Sequence, residues 1–239
     1  MTLAIGHPAD HPGPMAFVDD LHRPALSDED LHHLQRVLRQ RAGDQLTVAD
    51  GDGQWRTARL DPAAAGALNE FGPMCELPPA TPALAVGFAL VKGDKPELIV
   101  QKLTELGIDR IVPFRAERSV VRWDGAKAAK AVARLRLVAR AAARQCHRPR
   151  LPEISEVVEV AELVAAGATM AERGGAPMSL QVPFVLVGPE GGWSPSESAL
   201  AGDRVGLGAH VLRAETAAWT AAVLLASLRD GSIAQVHGL

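Results

Sequence analysis

Thiols are scarce in this 239-residue chain: Cys75 and Cys146 stand far apart, with no Cys-x-x-Cys and no histidine–cysteine cluster around either. That leaves no disulfide framework and no zinc site, so no metal is expected, and each cysteine reads as a small buried apolar residue. No apolar run is long enough to cross a bilayer, and Met1 to Pro14 has neither a basic start nor an apolar core of the secretory type. The expectation is a cytoplasmic protein. There is no Gly-x-Gly-x-x-Gly with a following acidic residue and no Gly-Lys-Ser/Thr, which argues against a dinucleotide fold and a P-loop. Apolar residues at 47% and charged residues at 22% are ordinary for a globular chain, so disorder is not the default. The length suits one large domain or two modest ones.

The net charge of −3 argues mildly against a nucleic-acid partner, but its distribution argues the other way. From Arg115 to Arg150 there are eleven Lys/Arg against Glu117 and Asp124, whereas Leu151 to Asp203 carries eight Asp/Glu against Arg173 alone. A chain polarised in this way presents a basic face whatever its total.

Two grammars follow each other along the chain. The first seventy or so residues read as a β-rich module, in which Asp50-Gly-Asp-Gly53 joins Gln45–Ala49 to Gln54–Leu60 as a hairpin. Ser27-Asp-Glu-Asp30 reads as the cap and acidic first turn of a short helix with Leu31, Leu34 and Leu38 on one side, and His32, His33, Arg36, Arg39 and Arg41 as a basic cluster. A proline-rich stretch lacking periodicity reads as a linker.

After it, strands alternate with helices: strand Leu84–Val91, a helix, strand Ile108–Phe114, a long helix, two glycine-terminated strands and a closing helix. That order predicts a parallel sheet covered on both faces. Asp94-Lys-Pro-Glu97 predicts a capped helix start, with Leu98, Gln101, Lys102 and Glu105 at helical spacing and Gly107 as C-cap. From Ala126 to Cys146, Arg136, Arg140 and Arg144 form a stripe extended by Arg148 and Arg150, opposite Leu135, Val138, Ala139, Ala142 and Cys146. A stripe this dense favours phosphate contact over a merely solvated face.

The last quarter carries the chemistry. Val185-Leu-Val-Gly-Pro-Glu-Gly-Gly-Trp-Ser194 and Gly206-Leu-Gly-Ala-His-Val-Leu-Arg-Ala-Glu-Thr216 each run from apolar strand to glycine-rich loop, which brings bare backbone to one place for a small ligand. Ser194, Pro195 and Glu197 predict a capping box on the helix that follows.

Four ordered motifs, read together, closely resemble the bacterial 16S ribosomal RNA uracil-N3 methyltransferase family of the SPOUT superfamily. They are Val91-Lys-Gly-Asp-Lys-Pro-Glu-Leu-Ile-Val-Gln-Lys-Leu-Thr-Glu-Leu-Gly107, Pro113-Phe-Arg-Ala-Glu-Arg-Ser-Val-Val121, Leu186-Val-Gly-Pro-Glu-Gly-Gly192 and Leu207-Gly-Ala-His-Val-Leu-Arg-Ala-Glu-Thr216. The likeness extends to His33-Leu-Gln-Arg-Val-Leu-Arg39 and Asp50–Gly53. It implies an α/β chain with a PUA-like RNA-binding domain over 1–73, a linker over 74–82, and over 83–239 a SPOUT methyltransferase domain with a parallel sheet and a deep trefoil knot. Knots of that kind are almost absent elsewhere and cannot be read from periodicity.

The resemblance also implies a homodimer that uses S-adenosyl-L-methionine to methylate N3 of a uridine in 16S rRNA within the small ribosomal subunit. The cofactor is expected against Leu186, Val187, Gly188, Pro189, Glu190, Gly191, Gly192, Leu207, Gly208, Val211, Leu212 and Ala217. RNA is expected on Arg36, Arg39, Lys92, Lys95, Arg118, Arg140, Arg144 and Arg148.

Methylating N3 requires removing its proton and stabilising the resulting charge. Arg213 is expected to supply positive charge, and Glu215 or Glu190 to take the proton or position the base. For Glu190 a structural role at the helix N-terminus is an equal alternative. The chain departs from the family pattern at His210, where arginine is common, at Ala214, where threonine is common, and at Arg144, where glutamate is frequent. Two rivals stay open at this point: a catalytically inactive PUA-like RNA-binding or ribosome-assembly protein, and a metabolic enzyme with a nucleotide-binding sheet.

Overall fold

A computed structural model of the chain describes residues 4–64 and 66–234. Its contacts divide it into two units, one of Met1–Pro79 with Arg140–Leu151, the other of Ala80–Ala139 with Pro152–Leu239.

The first unit is a six-stranded sheet. Its elements are β1 (Ala4–Ile5), β2 (Met15–Phe17), the short helix α1 (Asp28–His32), β3 (Gln45–Ala49), β4 (Gln54–Leu60), β5 (Leu68–Asn69) and β6 (Cys75–Glu76). The strand order is β1-β6-β4-β3-β2, with β5 on β4. The hairpin at Asp50 forms as its turn residues dictate: β3 and β4 pair antiparallel, and Asp50 Oδ1 accepts the amides of Asp52 (2.7 Å) and Gln54 (3.0 Å). Strand alternation then sorts the core onto two faces. Ala16, Val18, Leu46, Val48 and Ala58 join Leu34 on one side, and Met15, Phe17 and Trp55 join Ala143 and Leu151 on the other.

Two expectations change here. β6 lies inside the segment read as a linker, and its pairing with β1 and β4 makes it part of the sheet. Residues 140–151 group with this unit because Ala143 and Leu151 bury against it. Ser27 caps α1 as expected, with Oγ accepting the Asp30 amide at 3.1 Å. Residues 33–37, however, form a wider π-type turn closed by Leu38 N–H on His33 O at 3.0 Å. The wider turn shifts the helical phase, so Leu34 is buried and Leu38 is exposed.

The second unit is wholly parallel. It comprises β7 (Ala85–Ala89), α2 (Lys95–Glu105), β8 (Arg110–Arg115), α3 (Gly125–Gln145, which passes into the first unit at Arg140), β9 (Glu153–Ile154), β10 (Val158–Glu159), α4 (Val160–Ala165), β11 (Thr169–Ala176), β12 (Phe184–Val187), α5 (Pro195–Leu200), β13 (Arg204–Val205) and α6 (Ala214–Arg229). The order is β10-β8-β7-β12-β11-β13, with β9 on β8. Val86, Phe88, Val185 and Val187 face a core shared with α2, α3 and α6, whereas Ala85, Ala89, Phe114, Phe184 and Leu186 face one shared with α4. This two-sided burial is the expected doubly covered parallel sheet.

Three local readings are corrected. Asp94 has φ −88° and ψ 3°, outside the extended region a capping residue needs, and its side chain makes no cap bond. Glu97 instead pairs with Arg134 at 2.8 Å. The buried face of α2 is Ile99, Val100 and Leu103, while Leu98 is exposed. The second glycine-terminated strand shrinks to Arg204–Val205, so Arg213 stands at the N-cap of α6 and not at a strand end. Between the two glycine-terminated strands lies β11, which the sequence concealed because Glu172-Arg-Gly-Gly175 breaks any strand pattern. Among the described residues no helix is long and apolar enough to cross a membrane.

Candidate active site

The two glycine-rich loops meet. Residues 188–193, leaving β12, and 207–212, following β13, wall a cavity of about 220 Å³ whose remaining side comes from Ala171, Glu172 and Arg173 of β11 and from Ala214 and Ala217 of α6. Parallel strands deliver their C-terminal loops to the same end of the sheet, and β12, β11 and β13 are neighbours there.

The turn that opens the cavity is fixed by α5. Ser194 Oγ accepts the Glu197 amide at 3.1 Å, and Glu197 Oε2 accepts the Ser194 amide at 2.8 Å, completing the expected capping box. Trp193 stacks on Phe114 with ring centroids 5.9 Å apart and donates Nε1 to Ala171 O at 3.1 Å. Its ring lies so close beneath Gly188 that a Cβ there would stand 2.9 Å from it. Gly208, at φ +123°, adopts a conformation open to glycine.

Of the residues expected to hold a cofactor, Val187, Gly188, Pro189, Glu190, Gly192, Leu207, Gly208, Val211, Leu212 and Ala217 line this cavity. Leu186 does not, because strand alternation sends it into the opposite core beside Phe114. Gly191 lines a second, smaller cavity that shares Pro189 and Glu190 with the first. Sequence reasoning missed Ala171, Glu172, Arg173 and Trp193 as lining residues; only the tryptophan sat in a quoted motif. His210 and Ala214, the two departures from the family pattern in this region, both face the cavity.

At its rim the charges form a cluster. Lys95, in the first turn of α2, donates to Glu190 Oε1 at 3.1 Å and stands 3.3 Å from Glu215 Oε2 in the first turn of α6. The two carboxylates, Glu190 foremost, push the Lys95 ammonium above the ordinary lysine range. Glu190 is open, its side chain 64% exposed, and Glu215 is enclosed at 13%. Lys95, expected to meet RNA, is therefore bound to the two expected catalytic glutamates. Arg213 is exposed and lines neither cavity.

The arginine stripe of α3 is also corrected. Arg136 binds Ile154 O (3.0 Å) and Glu156 (2.8 Å), Arg140 donates to Phe17 O (3.1 Å) and lies over the Phe17 ring, and Arg144 forms an ion pair with the buried Asp30. Three of the cations expected to make an open stripe hold their own units together. Arg148 is half-buried, while Arg36, Arg39, Lys92 and Arg118 are exposed.

A ligand cavity built from backbone loops on a parallel sheet, beside a charged rim, in a chain that also carries a small β module, defines the class, and the comparisons agree. The RNA methyltransferase domain matches residues 79–226 and the RNA methyltransferase PUA domain matches residues 26–63. Ribosomal RNA small subunit methyltransferase E of Mycobacterium bovis is 35% identical over 213 residues, covering 78% of this chain and 79% of the relative. That of Bacillus subtilis is 30% identical over 222 residues, covering 81% and 85%. The structure of the Neisseria gonorrhoeae protein of that name bound to S-adenosyl methionine superposes with a TM-score of 0.74 at 28% identity, covering 90% of this chain and 97% of that one. The chain belongs to the ribosomal RNA small subunit methyltransferase E family of RNA methyltransferases.

Proposed function

We propose that this chain transfers a methyl group from S-adenosylmethionine to N3 of a uridine in the 16S RNA of the small ribosomal subunit, working as a homodimer with the two glycine-rich loops threaded in a trefoil knot. The observation that carries the reading is the backbone-walled cavity with the Lys95–Glu190–Glu215 cluster at its rim, in a member of this family.

The residues fit the cofactor. Val187, Leu207, Leu212 and Ala217 offer apolar wall for a heterocycle, and the bare backbone of 188–192 and 207–212 offers donors and acceptors. When bound, the cofactor supplies an electrophilic methyl group. The protein's part is to make the acceptor nitrogen nucleophilic. Lys95 is held protonated by its two carboxylates, so it cannot serve as the base; it is placed to stabilise charge developing on the uracil oxygens. Glu190, shared by both cavities and open to solvent, is the group that takes the N3 proton, and Glu215, lining neither cavity, positions Lys95.

The test is kinetic. Glu190→Gln should lower kcat by about 10²- to 10⁴-fold on unmethylated small subunits while cofactor binding persists. Wild-type turnover in that variant would remove Glu190 as base, and a wild-type protein that binds no S-adenosylmethionine by calorimetry would end the proposal. Light scattering reads the homodimer separately.

A further inference from the structure

A transfer reaction needs a place for its acceptor as well as its donor. The second cavity, about 170 Å³, shares Pro189 and Glu190 with the first. Its apolar walls are Leu90, Val91, Val120 and Val121, and its cations Lys92, Lys95 and Arg118 face Glu190 as the one carboxylate. Apolar wall suits the face of a ring, and surplus positive charge suits an anion attached to that ring. Lys95 is already held by two carboxylates; Lys92 and Arg118 are exposed and form no ion pair among the described residues.

The wall is also braced. Arg118 Nη1 donates to Gly191 O at 3.1 Å, Glu117 N–H donates to Glu197 Oε1 at 2.8 Å, and Ser196 Oγ donates to Glu117 Oε1 at 2.6 Å. These ties hold the 117–121 segment against the 188–192 loop and the capping box of α5, which presets the shape of the second cavity.

The geometry points to this second cavity as the seat of the acceptor: one uridine lifted out of the RNA, its ring between Val91 and the Val120–Val121 wall and its phosphate toward Lys92 and Arg118. The inference rests on the methyltransferase reading above. A base reaches a walled cavity of this kind only by leaving its stack. The shared Pro189–Glu190 wall brings that ring beside the donor cavity, as a transfer between two bound partners demands.

Val120 is 75% exposed, so Val120→Trp narrows the cavity mouth without burdening the core. Val120→Trp and Lys92→Ala would each be assayed on unmethylated small ribosomal subunits, with S-adenosylmethionine affinity measured alone by calorimetry. The expected result is a KM for subunits raised about ten-fold or more, with cofactor Kd within about two-fold of wild type. Unchanged KM in both variants overturns the assignment. So does a parallel loss of cofactor affinity, which would give the cavity to the donor. Failure of the underlying reading shows differently, as a wild-type protein that does not bind the cofactor.

Discussion

Glu197, buried at the start of α5, accepts the backbone N–H of Glu117 across 80 residues of chain at 2.8 Å, with the same carboxylate that closes its own capping box. One side chain thus ends a strand-to-helix turn and pins the segment that walls the second cavity. Glu197→Ala leaves the Ser194 and Glu117 amides without their acceptor, and we expect a loss of about 1–3 kcal/mol in urea unfolding. Glu197→Gln keeps an acceptor and should lose clearly less. Equal losses would show that both acceptor oxygens are needed, since glutamine replaces one of them with a donor.

Lys95 between Glu190 and Glu215 gives a charge-based prediction. Lys95→Met should lower kcat by about 10²- to 10³-fold, and Lys95→Arg should recover part of it, because a preorganised cation acts through charge at the reacting base. Since the lysine's affinity for its proton is raised, its charge persists as pH rises through the ordinary lysine range and is lost only above it. Wild-type rate should accordingly not turn down on the alkaline side below that range. A downturn there that vanishes in Lys95→Arg would contradict the assignment.

Gly188 and Trp193 test the cofactor cavity. A methyl group on residue 188 would stand 2.9 Å from the indole, and the indole is held by Phe114 and by its bond to Ala171 O. Gly188→Ala should therefore weaken S-adenosylmethionine binding about ten-fold or more by calorimetry, with a smaller effect on the unfolding midpoint. Trp193→Phe removes one hydrogen bond and should reduce stability by about 1 kcal/mol. Normal cofactor affinity in Gly188→Ala would mean that the turn does not shape the cavity.

His147 governs an acid limb of stability. Burial, aided by the positive charge of His7, holds its imidazole below the ordinary histidine range, and its Nδ1 has no hydrogen-bond partner among the described residues. A depressed value means that the unfolded chain binds the proton more readily. The stabilisation is complete above the ordinary histidine range and is lost as pH falls from there through the depressed value. His147 sits at φ +56°, which asparagine tolerates, so His147→Asn should flatten the fall in urea midpoint between about pH 7 and pH 5. An unchanged slope would assign the acid sensitivity to other groups.

Much of the site was legible because its signals are local. The Asp50–Gly53 hairpin, the Ser27 cap, the Ser194–Glu197 capping box and the two glycine-rich loops follow from backbone preferences over a few neighbouring residues. β11 was not legible, since half of it is exposed and it carries Glu172, Arg173 and two glycines where a buried strand would be apolar. Asp94 was misread for a related reason: residue type suggested a cap, but backbone geometry decides whether the side chain can reach.

By itself, the sequence determined the alternation of strands with α2, α3 and α6, the Asp50 and Ser194 turns and the motif set that names the family, because each depends on residues close together in the chain. Only the tertiary structure decided which charges are open. Arg144 meets Asp30 from 114 residues away, Arg140 meets Phe17 from 123, and Lys95 reaches Glu190 from 95. A charge is solvated, paired or poised according to what the fold sets beside it, and no local pattern carries that information.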